Sequence, residues 1–183
     1  MNQRTEYIKS LIKENNFKSY LEIGLGDGRN FKEIEIEDKI GVDPQSSGKD
    51  IAQVSSDEYF LHNLDSFDLI FIDGLHHADQ VERDIVNSWN CLNKGGMILI
   101  HDIKPHSFEM QEVPRNTKQW TGDVWRAWYG LQVNYPKLKL GYWDDEYGLG
   151  IIYKSRHKID LGFVDYDISF KDYQEKKGWL IKS

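Results

Sequence analysis

The nine residues from 20 to 28 read Tyr20-Leu21-Glu22-Ile23-Gly24-Leu25-Gly26-Asp27-Gly28. The first four predict a buried strand, which the glycine-rich stretch brings to an end. Glycines at these spacings let the backbone turn tightly and approach a ligand without side chains in the way. Many strand-to-helix turns need glycine for packing alone, so the spacing matters. A dinucleotide-binding fingerprint has glycine at the third position after Gly26, where this chain has Arg29.

A second short strand, Ile40-Gly41-Val42, ends at Asp43 and Pro44. Asp43 follows Gly24 by about 20 residues, the spacing of an acidic residue that binds ribose in related nucleotide sites. A carboxylate there can accept hydrogen bonds from both ribose hydroxyls. Asp-Pro also starts ordinary turns. With the glycine-rich loop upstream, we favour the ribose role.

Further along, the sequence predicts alternating strands and helices. Residues 67–72 form a near-continuous apolar run, typical of a strand buried on both faces of a parallel sheet. Apolar residues at steps of three and four between Ala78 and Leu92 predict a helix, which the Gly95-Gly96 pair is expected to end. Residues 97–100 predict the next strand, and residues 138–142 and 149–153 an antiparallel hairpin. This alternation predicts βαβ units around a parallel sheet.

The polar candidates follow predicted strands. They are residues 24–28, Asp43, Ser56, Asp73, and His101 with Asp102. Right-handed crossovers place a ligand crevice at the carboxyl ends of parallel strands, so we expect these groups at one edge of the sheet. The irregular segment 103–119 is longer than a normal connection and predicts a functional lid. The nearby Trp120, Trp125 and Trp128 could wall a substrate pocket as well as fill the core.

Composition limits the class of protein. The chain has 183 residues, 39% hydrophobic and 29% charged, which suits one globular domain over residues 1–183. We divide it into an N-terminal helix (1–16), a core (19–155) and a C-terminal extension (156–183). The net charge of −7 argues against nucleic acid as a partner, and no apolar run is long enough to cross a membrane. Cys91 is the single cysteine and no signal-peptide pattern is present, so we expect a cytoplasmic protein.

Several motifs together resemble one protein family. The pattern Glu22-x-Gly24-x-Gly26-x-Gly28 resembles the first motif of class I S-adenosylmethionine (SAM)-dependent methyltransferases, in which the loop cradles the methionine portion of the cofactor. Residues 56–60, residues 67–77 (FDLIFIDGLHH), Gly95-Gly96 and His101-Asp102 are similar to a branch related to sugar, macrolide and antibiotic O-methyltransferases. The resemblance runs from about Tyr20 to Asp102, and the hairpin fits the sixth and seventh strands of that family.

The resemblance implies a fold and a set of site residues. The fold is α/β, a doubly wound, Rossmann-like, mainly parallel seven-stranded sheet with an antiparallel C-terminal hairpin strand and helices on both faces. The implied cofactor-binding residues are Glu22, Gly24, Gly26, Gly28, Asp43, Ser56, Asp57 and Asp73. Ser56 and Asp57 would contact adenine, although Ser-Ser-Asp is equally a helix cap.

A divalent metal is also implied. In characterised relatives, an acid after the fourth strand and an acidic pair after the fifth hold a metal that binds vicinal hydroxyls of the substrate. By position the ligands here would be Asp73, His101 and Asp102. His101 stands where that pair begins with an acid, which gives a softer set than the oxygen shell that Mg²⁺ prefers. The alternative is that Asp73 contacts the cofactor while His101 and Asp102 only cap a strand.

His76 stands where related enzymes carry a general base. A sugar hydroxyl is a poor nucleophile until its proton leaves, and an imidazole titrating near neutrality can take that proton. The adjacent His77 is the main rival for this role.

The leading hypothesis is therefore a transferase that O-methylates a hydroxylated small molecule, such as a sugar or glycoconjugate. A nicotinamide-dependent enzyme is a second hypothesis, which Arg29 and the antiparallel hairpin disfavour. A third is a degenerate domain that acts as a non-catalytic cofactor-binding or partner subunit. Whether the chain forms a homo-oligomer stays open.

Overall fold

The computed structural model describes residues 3–164 and 168–181. Met1 and Asn2, where the predicted N-terminal helix begins, lie outside the described residues, as do residues 165–167, 182 and 183 of the predicted C-terminal extension. The strands are β1 (Ser19–Ile23), β2 (Asp38–Val42), β3 (Ile51–Ala52), β4 (Phe67–Ile72), β5 (Leu92–Ile100), β6 (Leu140–Trp143) and β7 (Leu149–Tyr153). The helices are α1 (Gln3–Asn15), α2 (Arg29–Glu33), α3 (Ser56–His62), α4 (Ala78–Cys91), α5 (Val124–Asn134) and α6 (Phe170–Glu175), with a 3-10 turn at Glu109–Gln111.

The strands form one sheet in the order β3-β2-β1-β4-β5-β7-β6. The pairs from β3 to β5 are parallel, whereas β7 runs antiparallel to both β5 and β6. This confirms the predicted mainly parallel sheet with its C-terminal hairpin. Because β1, β4 and β5 run in the same direction, the loops that follow them gather at one edge.

Helices cover both faces of the sheet, as predicted. On one face α1 packs through Ile8 and Leu11 in a cluster that includes Phe31 of α2. On the other face α4 and α5 contribute Ile85 and Trp128 to the larger cluster. None of the helices in the described ranges is long and apolar enough to cross a bilayer.

Two tryptophans that we considered as pocket walls are core residues. Trp125 and Trp128 are both fully buried. The indole N–H of Trp125 donates to the Gln111 side chain at 3.2 Å, and that of Trp128 donates to the Trp179 carbonyl at 3.1 Å. These internal partners satisfy the one polar group of each ring, so both indoles serve packing.

The glycine pair at 95 and 96 does not end a helix, so that prediction was wrong. α4 ends at Cys91, and the pair lies inside β5. Here the pairing register with β4 shifts, and Gly95 takes a φ of +84°. A Cβ on Gly96 would lie 2.6 Å from the Asp68 carbonyl oxygen. The glycines therefore permit an irregularity in the strand and a close approach between two strands.

Asp123 immediately precedes α5 but caps a different helix. Its side chain makes no capping bond to α5 and instead accepts a 2.7 Å hydrogen bond from the Ala78 N–H at the start of α4. This bond ties the beginning of α4 to the beginning of α5. The loop that carries His76 and His77 is thereby fixed at its downstream end.

The C-terminal segment packs onto the rest of the domain through buried polar contacts. The Glu82 carboxylate on α4 accepts hydrogen bonds from three successive backbone N–H groups, at residues 162–164. The Tyr173 hydroxyl donates to the Ile103 carbonyl at 2.6 Å, just after β5. The end of β5 is therefore supported by a residue 70 positions further along the chain.

Candidate active site

A cavity of about 520 Å³ opens at the carboxyl edge of the sheet. The loop after β1 lines it with Gly24 and Gly26, and the loop after β4 with Asp73 and His76. Other parts of the chain complete the wall with Arg4, Glu22, Arg29, Asn30, His101, Asp102, Lys118, Trp120 and Tyr147. The predicted convergence of several motifs at one sheet edge therefore holds for these groups.

The glycine loop (residues 24–28) has the backbone conformation that its composition predicts. Gly24, Gly26 and Gly28 take φ values of +82°, +52° and +70°. At Gly24 a Cβ would lie 2.3 Å from the Asp73 carbonyl oxygen and 2.3 Å from the Cα of Gly74. Glycine at this position thus lets the loops after β1 and β4 touch, whereas Gly26 faces open space.

Two carboxylates and two imidazoles form a compact cluster in the cavity. The His76 Nε2 lies 3.5 Å from an Asp73 oxygen and 3.2 Å from an Asp102 oxygen. The His101 Nδ1 lies 3.2 Å from each of the same two carboxylates. Each imidazole therefore bridges both acids.

The cluster sets the charge of its members. Burial disfavours the charged imidazole of His76, but the hydrogen bond to Asp73 and the charge of Asp102 outweigh it, so the pKa of His76 is raised. Burial likewise opposes the ionised form of Asp73, but the charge of His101 outweighs it and lowers the Asp73 pKa. In the ligand-free protein Asp73 is thus a carboxylate facing positively charged partners.

His101 is more enclosed than a residue at the mouth of a ligand site. It is 7% exposed, and its Nε2 lies 3.3 Å from an Asp145 oxygen. Its pKa is raised well above the usual value, because Asp102 and Asp73 outweigh the cost of burial. Its two ring nitrogens face carboxylates, and the Arg4 Nη1 lies 2.9 Å from each nitrogen. The His101 ring is therefore enclosed by charged side chains. The adjacent Asp102 takes a φ of +64°, a conformation that non-glycine residues rarely adopt outside constrained sites.

The two adjacent histidines occupy different environments. The His76 Nδ1 lies 3.3 Å from the Trp120 carbonyl, and the two rings stack with centroids 5.2 Å apart. Trp120 thus attaches the segment after β5 to the cavity. His77 occupies the cap position of α4 without a side-chain capping bond and does not line the cavity.

One set of described residues has the geometry of a metal site. Asp73, His76 and Asp102 each offer one ligand atom, and these three atoms lie within 4.8 Å of one another. The set shares the two acids with the predicted one but contains His76 in place of His101. Two oxygens and an imidazole nitrogen suit a divalent cation, with a softer donor set than Mg²⁺ prefers.

Glu22 lies beneath the glycine loop and is 1% exposed. Its carboxylate accepts hydrogen bonds from the Tyr20 hydroxyl at 2.7 Å and from the Asn30 amide at 2.8 Å. Burial nevertheless raises the pKa of Glu22 from 4.5 to about 7. A carboxyl group at this position is therefore partly protonated at neutral pH.

Substituting Glu22 with glutamine should remove a pH-dependent loss of stability. A pKa raised by folding gives stability that is present below pH 4.5 and is lost as the pH rises towards 7. The loss amounts to roughly 3 kcal/mol, at about 1.4 kcal/mol per unit of pKa. In urea unfolding at about pH 5 and about pH 8, Glu22→Gln should gain stability over wild type only at the higher pH. Glu37→Gln, an exposed control, should follow wild type, and an equal pH dependence in both variants would contradict the assignment.

The remaining predicted cofactor residues lie outside this cavity. The Asp43 carboxylate accepts hydrogen bonds from the backbone N–H groups of Leu25, Gln45 and Ser46 at 2.7–3.0 Å. Asp43 therefore supports the glycine loop. Ser56 and Asp57 both accept hydrogen bonds from the Gln80 side chain at 3.1 Å, which ties the start of α3 to α4.

Arg4, Asp145 and Tyr147 were not predicted as site residues. Asp145 and Tyr147 lie in the turn between β6 and β7, and Arg4 lies in the first turn of α1. Arg4 precedes the buried Ile8 by one helical turn, so a charged residue continues the apolar stripe of α1. That break in the pattern is the signal that could have identified Arg4.

The sequence matches one family model in part. Residues 36–103 match a model described as a methyltransferase domain. No curated protein matches the sequence.

Solved structures resemble the chain over most of its length. The O-methyltransferase from Bacillus cereus, in complex with S-adenosylhomocysteine (SAH), is 12% identical with a TM-score of 0.62, and the match covers 85% of this chain and 82% of that one. TomG from Streptomyces achromogenes, an O-methyltransferase of tomaymycin synthesis in complex with SAM, is 9% identical with a TM-score of 0.61 (85% and 81% covered). The MycE methyltransferase from mycinamycin biosynthesis, in complex with Mg, SAH and mycinamycin VI, is 16% identical with a TM-score of 0.53 (86% and 50% covered). The chain has the class I methyltransferase fold that the sequence motifs implied.

Proposed function

We propose that this chain, with its class I methyltransferase fold, is a SAM-dependent enzyme that methylates a hydroxyl group of a small molecule, such as a sugar or glycoconjugate. One observation carries the proposal: the glycine loop and the cluster of Asp73, His76 and Asp102 share the wall of a single cavity. A methyl donor held by the loop would lie beside groups able to take a proton.

The reaction needs a base and an aligned donor. When bound, SAM would supply a methyl group on a sulfonium, which the acceptor oxygen would take as the carbon–sulfur bond breaks and a neutral thioether is left. The hydroxyl proton passes to the neutral form of His76, at Nε2. Nδ1 is directed at the Trp120 carbonyl, so Nε2 is the nitrogen placed for this role. Proton transfer of this kind typically contributes ~10²–10⁴-fold, and alignment of oxygen, carbon and sulfur contributes further.

The cofactor is assigned to the glycine loop and its surroundings. Gly24 and Gly26 would border the methionine portion. Asp43 would accept a ribose hydroxyl with the one lone pair that its three backbone hydrogen bonds leave. Ser56 and Asp57 would face adenine. This arrangement follows the family resemblance, and the position of Asp43 against the Leu25 N–H supports it.

A cyclic acceptor suits the exposed side of the cavity. Trp120 is the tryptophan that lines it among the described residues, and its ring already stacks on His76. Flat aromatic faces pack well against the apolar face of a sugar ring. This supports a sugar or glycoconjugate as acceptor.

A divalent cation is the second ligand that the cluster could hold, on Asp73, His76 and Asp102. When bound, the cation would draw the acceptor hydroxyls to the site and favour their deprotonation. It would also occupy the Nε2 lone pair of His76. The base role and the ligand role of His76 therefore exclude one another.

Calorimetric titration with SAH tests the proposed function. We expect micromolar binding of SAH and no binding of NAD, because Arg29 interrupts the dinucleotide fingerprint. Repeating the titration with Mg²⁺, with Mn²⁺ and with EDTA shows whether a cation takes part. A cation that binds wild type and fails to bind Asp102→Asn supports the metal arrangement, and absence of cation binding to wild type leaves His76 as the base.

The same titration separates the alternative hypotheses. Absence of SAH binding under every condition would overturn the methyltransferase proposal and favour a degenerate domain. SAH binding without turnover of any hydroxylated acceptor would favour a non-catalytic cofactor-binding subunit. Binding of NAD in place of SAH would favour the hypothesis of a nicotinamide-dependent enzyme.

A further inference from the structure

Arg4 is a cation that reaches the cavity from outside the predicted motifs. It lies in the first turn of α1, whose apolar side is buried through Ile8, Leu11 and Ile12. The guanidinium carbon lies 5.3 Å from the centroid of the Phe71 ring, and the side chain is 19% exposed. The helix and the aromatic ring therefore fix the position of this charge.

Arg4 contacts both an imidazole and an acid of the cluster. Its Nη1 lies 2.9 Å from each ring nitrogen of His101 and 3.3 Å from an Asp73 oxygen. The next residue, Thr5, donates a 2.8 Å hydrogen bond to Asn30, which in turn donates to Glu22. These two bonds join the first turn of α1 to the buried carboxylate beneath the glycine loop.

The other arginine and lysine side chains of the cavity wall, Arg29 and Lys118, are less fixed. Arg29 is 72% exposed at its side chain and pairs with Asp27 at 3.3 Å, and Lys118 is exposed. A guanidinium that is largely buried and already oriented loses less entropy on binding an anion than these mobile side chains do. Among the arginine and lysine side chains of the cavity wall, Arg4 is therefore the best prepared to bind an anion.

We propose that Arg4 binds the α-carboxylate of the methionine portion of the cofactor, while Asp73 binds its ammonium group. This inference rests on the proposed function. The amino-acid end of SAM is a zwitterion, and the Arg4–Asp73 ion pair presents the two complementary charges side by side. The planar fork of a guanidinium also matches a carboxylate in a bidentate pair.

The distances in the cofactor agree with this position. Its sulfur must lie within reach of an acceptor oxygen next to His76, and only three carbon atoms separate that sulfur from the α-carboxylate. The carboxylate therefore lies within about 5 Å of the sulfur, a span set by covalent geometry. Arg4, His76 and Gly24 line the same cavity, so all three can act on one ligand.

Two ligands that differ only in the carboxylate test the inference. We would titrate SAH and its decarboxylated analogue, which keeps the amine, into wild type, Arg4→Gln and Arg4→Lys. Wild type should bind SAH about 10–100-fold more tightly than the analogue, the range for hydrogen bonds to a charged group. Arg4→Gln should lose most of that preference, and Arg4→Lys part of it, because an ammonium cannot form the bidentate pair.

The ratio of the two affinities isolates the carboxylate contact. Removing Arg4 also releases Asp73, but this affects both ligands alike, since both carry the amine. Lys9→Gln removes one positive charge from the same helix, where Lys9 pairs with Glu6 at 3.0 Å, and should keep the wild-type ratio. Thermal melts check that each variant folds, and Arg4→Lys gives the answer if Arg4→Gln does not fold.

The outcomes separate this inference from the proposed function. If Arg4→Gln lowers the affinity for both ligands equally, so that the ratio of the two affinities is unchanged, the role of Arg4 is overturned. SAH binding to wild type would still uphold the proposed function. Failure of wild type to bind either ligand would overturn both.

Discussion

Replacing His76 with alanine is expected to lower kcat for methyl transfer by about 10²–10⁴-fold, the usual contribution of a general base. The imidazole Nε2 faces the cavity between Asp73 and Asp102, and alanine removes the group that is proposed to take the hydroxyl proton. The affinity for SAH should change little, because the glycine loop is untouched. The measurement is kcat at saturating SAM with an acceptor found by screening hydroxylated compounds, alongside calorimetry with SAH.

The adjacent histidine is the matched control. His77 lies outside the cavity wall and should tolerate alanine with kcat within several-fold of wild type. A large loss in His77→Ala with normal turnover in His76→Ala would reverse the two roles. If both variants lose SAH binding, the effect is on folding of the loop after β4 and the base assignment is not supported.

Gly24→Ala is expected to destabilise the protein more than any other substitution in the glycine loop. The new Cβ would lie 2.3 Å from the backbone of Asp73 and Gly74, so the ends of β1 and β4 must separate. Overpacking typically costs about 1–3 kcal/mol. A left-handed conformation adds roughly 1–2 kcal/mol for a residue with a Cβ. Urea unfolding without ligand measures the sum, and SAH binding should fall as Asp73 moves.

Gly26→Ala separates the two contributions. Gly26 also has a positive φ, +52°, but a Cβ added there would meet no atom within 4 Å. Gly26→Ala should therefore lower the free energy of unfolding only by the cost of the left-handed conformation. Equal destabilisation by the two substitutions would mean that the close approach between the loops after β1 and β4 is not what Gly24 serves.

Local patterns determine most of this fold, which is why the sequence predicts it well. The strand at residues 67–72 has the predicted bounds, because six residues buried among neighbouring strands must be almost entirely apolar. The prediction fails where long-range packing decides. The Gly95-Gly96 pair has the composition of a helix end, yet the approach of Asp68 from β4 makes it part of β5. Asp123 has the position of a cap for α5, yet its partner is Ala78.

The candidate site was predictable where its residues follow strands. Asp73, His76 and Asp102 each follow a strand end, and parallel strands bring such positions together. Arg4 and Asp145 reach the same cluster from α1 and from the β6–β7 turn, so only the packing of those elements reveals them. The tryptophans at 120, 125 and 128 show the same limit. Their residue type suits either a pocket or a core, and burial in the folded chain separates Trp120 from the other two.

The contacts of the C-terminal segment also fix an order of events during translation. Glu82 accepts backbone N–H groups at residues 162–164, and Ile103 accepts the Tyr173 hydroxyl. At about 5–20 residues per second, a ribosome makes these donors several seconds after it makes the acceptors. Until then the Glu82 carboxylate lacks its backbone donors, and the end of β5 lacks the contact with Tyr173. The edge of the sheet that carries the cavity is therefore completed late, after the β-strands that define it have left the ribosome.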